Sequence, residues 1–239
     1  MVALVFDFDW SLINENSDTF LFKELGEDVY HHLKNESSKG RGQWTRLVDE
    51  SLVLLQQKHN VSLGEIKKCI EDIPVLVGML EIVREFAAKE NGRVYIVSDA
   101  NEYFISSFLE KHALVDHVAQ VKTNKSWVCK DTGMLRIGPY VDEPHSCELC
   151  PPNMCKGDIM ETLGLVSPGS DKIFYVGDGG GDFCPAIKLR ENDVLFVRND
   201  SSYPSARGLV NRIDKKKDSH PVKANIVHWK TSSDITDEL

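Results

Sequence analysis

Short apolar runs, each ending at a polar or glycine-rich turn, set the rhythm of this chain. Residues 2–6 run into Asp7-Phe8-Asp9, and residues 94–97 into Ser98-Asp99-Ala100-Asn101. Residues 173–176 precede Gly177-Asp178-Gly179-Gly180-Gly181-Asp182, and residues 194–197 precede Arg198-Asn199-Asp200. β-Branched and aromatic runs without polar alternation predict strands buried on both faces, as in a parallel sheet. Between the runs, Leu76, Met79, Leu80, Val83, Phe86 and Ala87 recur at helical spacing, and segments 103–111 and 156–163 behave similarly. Alternating strand and helix predicts a doubly wound α/β fold with a parallel sheet. Ligands of such sheets sit beyond the carboxyl ends of the strands, where all these polar clusters fall.

Residues 14–73 carry no strand pattern. Segments 18–25, 43–58 and 63–70 read as helices, with Ser62 as N-cap and Glu65 completing a capping box. This predicts a small helical cap inserted after the first strand, with residues 1–13 and 74–239 forming the core. Thr132-Gly133 predicts a β-hairpin within 121–140.

Composition narrows the function classes. A chain of 239 residues, 41% hydrophobic and 27% charged, is large enough for one core plus a small accessory unit. The net charge of −9 argues against nucleic acid as a partner. Lys215-Lys216-Lys217 is flanked by Asp214 and Asp218 and reads as a solvated turn. No apolar run approaches the ~20 residues that span a bilayer, and the N-terminal run lacks a basic leader. The expected protein is cytoplasmic, a monomer or homodimer, with no membrane partner and with its cysteines reduced.

Asp7 and Asp9 would share one face if the first strand extends through them. Two adjacent carboxylates repel unless a cation or proton neutralises them, and Mg²⁺ suits a site of carboxylates plus phosphate. A surface turn with two unrelated aspartates is the alternative. Asp178 and Asp182 bracket three glycines at another strand end, where backbone can approach a ligand closely. Ser98 could donate to a phosphoryl oxygen, and Lys156 stands at a helix start where a cation and amides could act together.

The ordered set Asp7-Phe8-Asp9-x-Ser11, Ser98, Lys156 and Gly177-Asp178 through Asp182 resembles the haloacid dehalogenase (HAD) superfamily of phosphotransferases. Longer strings sharpen the match: Asn14 to Asp18, Ser98 to Asn101, His145-Ser146-Cys147 with Cys150 to Lys156, and Asp182-Phe183-Cys184-Pro185. These resemble the phosphoethanolamine/phosphocholine phosphatase family, which has pyridoxal phosphate, thiamine phosphate and pyrophosphate phosphatase relatives. Trp10-Ser11 departs from the superfamily's small or polar residue followed by Thr, although Ser11 keeps the hydroxyl.

The resemblance implies hydrolysis of a small-molecule phosphomonoester through an aspartyl-phosphate on Asp7, with Asp9 as acid and base. It implies Mg²⁺ at Asp7, Asp9 (through its carbonyl), Asp178 and Asp182, with Ser98 and Lys156 on the phosphoryl oxygens. Asp18 and Asp99 match positions that meet a cationic head group, although each could instead cap a helix. Phosphoryl transfer to another acceptor, or an inactive phosphate-binding relative, are the competing readings. Retention of all six motif residues argues against inactivity. His145, Cys147, Cys150 and Cys155 offer a zinc-like set beside the alternative of a reduced cysteine cluster.

Overall fold

The first strand, β1 (Val2–Phe6), lies in the middle of a seven-stranded sheet whose order is β4-β3-β2-β1-β5-β6-β7. The partners are β2 (Gly92–Asn101), β3 (Val118–Val128), β4 (Leu135–Gly138), β5 (Ile173–Gly177), β6 (Val194–Arg198) and β7 (Asn225–Trp229). All pairings are parallel except β3 with β4, the expected hairpin. The computed structural model describes residues 2–40, 43–167 and 169–239; Met1, at the head of the first apolar run, lies outside them.

Alternation along the strands divides the core into two layers. Leu4, Phe6, Ile96, Phe174, Val176 and Phe196 pack on one face; Ala3, Val5, Tyr175, Leu195 and Val197 pack on the other. The first face is covered by α5 (Met79–Ala88) and α6 (Glu102–Lys111), and the second by α7 (Lys156–Thr162), α8 (Phe183–Lys188) and α9 (Gly208–Lys216). A final turn of helix, α10 (Ser232–Thr236), buries Ile235 against the first face. Helices on both faces leave both sides of the central strands β1, β5 and β6 dry, which explains their continuous apolar runs.

Between β1 and α5 lie α1 (Ser17–Leu25), α2 (Glu27–Ser38), α3 (Trp44–His59) and α4 (Leu63–Glu71). Ser62 and Glu65 form the expected capping box. Helix α2 escaped the sequence pattern because only Val29 and Leu33 are buried on it. Helix α3 seals the outer edge of the sheet. Its Asp49 accepts hydrogen bonds from the Ile137 amide (2.9 Å) and from Arg136 Nε (2.9 Å) and Nη2 (2.6 Å), while Gln56 bonds both the amide and carbonyl of Leu135. An edge strand whose backbone groups are satisfied this way is closed to further pairing.

Two strand ends differ from the expected ones. β1 stops at Phe6, and residues 8–12 form a tight turn with Asp9 extended (φ −65°, ψ 132°) and Trp10 left-handed (φ 57°). Asp7 and Asp9 therefore converge through this turn rather than through strand alternation. β2, in contrast, continues through Ser98-Asp99-Ala100-Asn101, with its register to β3 shifting between Val97 and Asn101. Asn124 on β3 holds this extension by donating to the Asp99 carbonyl at 2.6 Å.

Phe8 is clamped edge-on by Phe108 of α6, with ring centroids 5.3 Å apart and both residues fully buried. Phe108→Ala is expected to lower stability by about 3–5 kcal/mol, read as a lower urea midpoint at unchanged m-value.

Candidate functional site

The carboxyl ends of β1, β2 and β5 meet where the chain order reverses about β1, the usual ligand crevice of a doubly wound sheet. A cavity of about 470 Å³ opens there. Asp7, Asp9, Asp99, Lys156 and Asp178 line it together with the Gly179–Gly181 backbone, and Trp10, Tyr30 and Trp44 supply aromatic walls. Ser98, Asp18 and Asp182 lie behind this lining.

Lys156 is the cation at the centre. Its Nζ lies 2.8 Å from Asp7 Oδ2 and 2.8 Å from Asp182 Oδ1. As expected, it begins a helix, α7, with Cys155 at the N-cap. Burial alone would lower the Lys156 pKa, but Asp182, Asp7 and Asp99 together hold it well above the usual lysine value.

The carboxylates are nonetheless under strain. Burial, then Asp182, raises Asp7 to about 7 against the pull of Lys156. Burial, then Asp182 and Asp7, pushes Asp178 well above the carboxylate range. One ammonium cannot neutralise this set. Oxygens of Asp7, Asp178 and Asp182 lie within 4.8 Å of one another, which fits a hard divalent cation bound by oxygen. Asp182 is already well occupied. Its Oδ1 accepts from Lys156 and from the Tyr175 hydroxyl (2.7 Å), and its Oδ2 from the amides of Asp178 (3.1 Å) and Gly179 (2.9 Å). A Cβ at Gly177 would stand 2.7 Å from the Asp182 carboxyl carbon, so glycine is required for this approach. Ser11 donates to Asp178 Oδ1 at 3.3 Å.

Asp9 belongs to a separate network. Its Oδ1 accepts from the Ser17 amide (2.9 Å) and its Oδ2 from Asn16 Nδ2 (2.8 Å). Burial, then Asp18, raises its pKa well above the carboxylate range, against the Ser17 bonds. Asp18 accepts from Trp44 Nε1 at 2.8 Å through Oδ2, while its buried Oδ1 has no hydrogen-bond partner. Neither Asp18 nor Asp99 is a helix cap: Asn16 and Asn101 take those roles. Ser98 is fully buried and accepts from the Ala100 amide at 3.2 Å.

Three contributors escaped the sequence reading. Tyr175 looked like an apolar strand residue, Asn16 like one letter of a longer string, and Arg198 like the start of a turn. Arg198 is fully buried, bonds the Trp10 carbonyl (2.7 Å) and Asn14 Oδ1 (2.6 Å), and faces the rings of Trp10, Tyr203 and Trp229. A charged residue ending an otherwise apolar run was its only signal.

The cysteines are free, and the zinc-like set offered by the sequence differs in one member. Cys147, Cys150 and Cys155 converge with Cys184, not with His145. Both ring nitrogens of His145 are engaged within its own loop, Nε2 with the Pro151 carbonyl (2.9 Å) and Nδ1 with the Cys147 amide (3.2 Å).

Asp182→Asn should cost about 3 kcal/mol of stability by leaving Lys156 and the loop amides poorly matched. Tyr175→Phe should cost only about 1 kcal/mol. Urea titration measures both, and hydrogen exchange at the Asp178 and Gly179 amides should quicken in the former.

Comparison with known proteins agrees with this architecture. The family model described as "Putative Phosphatase" matches residues 2–239. A thiamine phosphate phosphatase-like protein of Arabidopsis thaliana is 37% identical, covering 98% of this chain and 91% of its own. A phosphoethanolamine/phosphocholine phosphatase of Gallus gallus is 30% identical, covering 97% and 85%. The fold is similar to that of a phosphoserine phosphatase solved as a phospho-aspartyl intermediate analogue, at 17% identity over 99% of this chain and 98% of that one, with a TM-score of 0.60. Among the described residues, no helix is long and apolar enough to cross a membrane. The chain therefore belongs to the "Putative Phosphatase" family, whose model spans residues 2–239.

Proposed function

We propose that the cavity hydrolyses a small phosphomonoester bearing a cationic organic group, of the phosphoethanolamine or phosphocholine type, with Asp7 as nucleophile. The observation that carries the reaction is the contact of Asp7 with Lys156 at the floor of a cavity shared with Asp9 and Asp178.

An Asp7 carboxylate oxygen attacks phosphorus in line, forming an acyl phosphate as the ester P–O bond breaks. Protonated Asp9 delivers its proton to the leaving alkoxide, and the raised Asp9 pKa favours that acid form. A water then attacks the same phosphorus, Asp9 takes its proton, and the Asp7–phosphorus bond breaks to release phosphate. Lys156 faces the charge that develops on the phosphoryl oxygens, and Ser98 supports the strand end beside it. Asp7, the Asp9 carbonyl and Asp178 would hold Mg²⁺, while the four bonds on Asp182 suit a residue that orders the loop from behind. Mg²⁺ supplies positive charge for the substrate and transition-state oxygens.

For the organic group, Asp99 places negative charge on the lining, and Asp18 fixes Trp44 by its indole N–H. Aromatic faces beside carboxylates suit an ammonium or trimethylammonium ion, each such contact contributing ~0.5–2 kcal/mol. The substrates named for both relatives contain a cationic nitrogen, which supports this class. Lys23 and Lys34 also line the cavity and favour a second reading, pyrophosphate, in which they meet the second anion.

Asp7→Asn should lower Mg²⁺-dependent phosphate release by about 10⁴-fold or more while leaving the fold intact. Turnover near the wild-type rate would remove Asp7 from the nucleophile role. A phosphate-release panel of phosphoethanolamine, phosphocholine, thiamine phosphate, pyridoxal phosphate, pyrophosphate and an uncharged aryl phosphate, with an EDTA control, tests the substrate class. Asp99→Asn should raise KM roughly five- to tenfold for the cationic substrates, the size of one contact near 1 kcal/mol, and leave the aryl phosphate nearly unchanged. Equal losses on both would refute the cation assignment, and preference for pyrophosphate would favour the second reading.

A further inference from the structure

Residues 139–155, between β4 and α7, form a loop without helix or strand. Loops of that length without secondary structure are uncommon in compact domains, and an ordered one usually has a function. This loop holds Cys147, Cys150 and Cys155, and α8 presents Cys184 to it. The four sulfurs all lie within 4.8 Å of one another. Cys147 and Cys155 Sγ stand 3.8 and 3.6 Å from Cys184 Sγ.

Those separations distinguish among the chemistries open to four thiols. A disulfide needs its sulfurs at about 2.05 Å, far inside the spacing found, and all four cysteines are free. Tetrahedral zinc with Zn–S bonds of about 2.3 Å requires neighbouring sulfurs about 3.8 Å apart. The cluster matches that edge. It is too tight to enclose an iron–sulfur cube, whose inorganic core must sit between its thiolates.

Local packing preserves the convergence. Gly157 faces Cys184, and a Cβ there would come within 2.6 Å of its Sγ. Arg212 from α9 bonds the Leu149 carbonyl at 2.6 Å and fixes the loop between Cys147 and Cys150. His145 is engaged within the loop and leaves the four sulfurs as the complete donor set.

We propose that Cys147, Cys150, Cys155 and Cys184 form a closed structural site for a single soft divalent ion, zinc. Each cysteine releases its proton to solvent as its sulfur coordinates the ion, and no oxidation is involved. With four protein ligands the site has no open position for substrate, so its role is to staple. Cys155 directly precedes Lys156, and Cys184 follows Asp182 by two residues. The ion therefore ties together the two segments that meet in the Lys156–Asp182 ion pair.

Elemental analysis of the full chain, purified without added zinc and after passage through EDTA, should find about one zinc per chain. Protein refolded with Co²⁺ should show a thiolate-to-cobalt charge-transfer band in the near ultraviolet and tetrahedral d–d bands in the red. Asp7→Asn and His145→Ala should retain zinc and the cobalt spectrum, which separates this centre from the carboxylate site and from a histidine-containing set. Cys184→Ser should lose both; if it does not fold, the wild-type cobalt spectrum decides. The proposal is overturned if wild-type protein is folded with these four thiols titratable and takes up neither ion. Loss of zinc in Asp7→Asn, a cobalt spectrum without thiolate bands, or a native disulfide among the four would overturn it equally.

Discussion

The site rests on one buried ammonium group. Lys156 is held between Asp7 and Asp182 with its side chain only 4% exposed, and those carboxylates come from the ends of two different strands. A buried ion pair gains little over an apolar core of the same shape, because desolvation consumes most of the attraction. Its value here is geometric. Removing the charge would leave three converging carboxylates to protonate or separate, so Lys156 sets the separation of the β1 and β5 loops. Burial, and then the neighbouring carboxylate charge that Lys156 does not cancel, keep the Asp7 and Asp178 pKa values raised, so the floor retains demand for more positive charge.

Much of this was legible from sequence because the central strands are apolar and buried on both faces. The apolar runs of β1, β2 and β5 therefore stop abruptly at the polar residues that form the site. Patterning said less about what happens just past a strand end. The continuation of β2 through Asn101 depends on Asn124, a residue on another strand, and the end of β1 depends on Trp10 entering the left-handed region. Such tertiary bonds leave no periodic trace. Helix α2 was missed for the opposite reason: its apolar stripe is too thin to register, and packing holds it in place. Cys184 was overlooked because a site assembled from distant segments shows only part of its ligand spacing in sequence.

Trp10 illustrates how local strain is offset from afar. A bulky residue at φ 57° is unfavourable, yet the conformation turns the chain so that Asp9 reaches the cavity. Arg198, at the end of β6, takes the Trp10 carbonyl, bonds Asn14 and lies against the Trp10 and Tyr203 rings. The guanidinium thus ties the middle of the turn to the residue two positions past its end. Burial lowers the Arg198 pKa, although an arginine stays charged even so. The turn bearing Asp9 is consequently anchored to the sheet two strands away from β1.

The helical insertion reaches the chemistry through the same aspartate. Asn16 and Ser17, at the start of α1, donate to both oxygens of Asp9, and two such bonds favour the carboxylate. Burial, Asp18 and Asp7 favour the acid, and their combined effect prevails. Asp9 therefore sits between two opposed influences, one from the helix and one from its surroundings. The acid–base role proposed for Asp9 requires such a balance, since a carboxylate without the upward push would remain ionised at neutral pH. Movement of α1 would lengthen the Asn16 and Ser17 bonds and shift that balance toward the acid. The placement of Asn16 and Ser17 at the start of α1 thus sets how strongly Asp9 is drawn toward its ionised form.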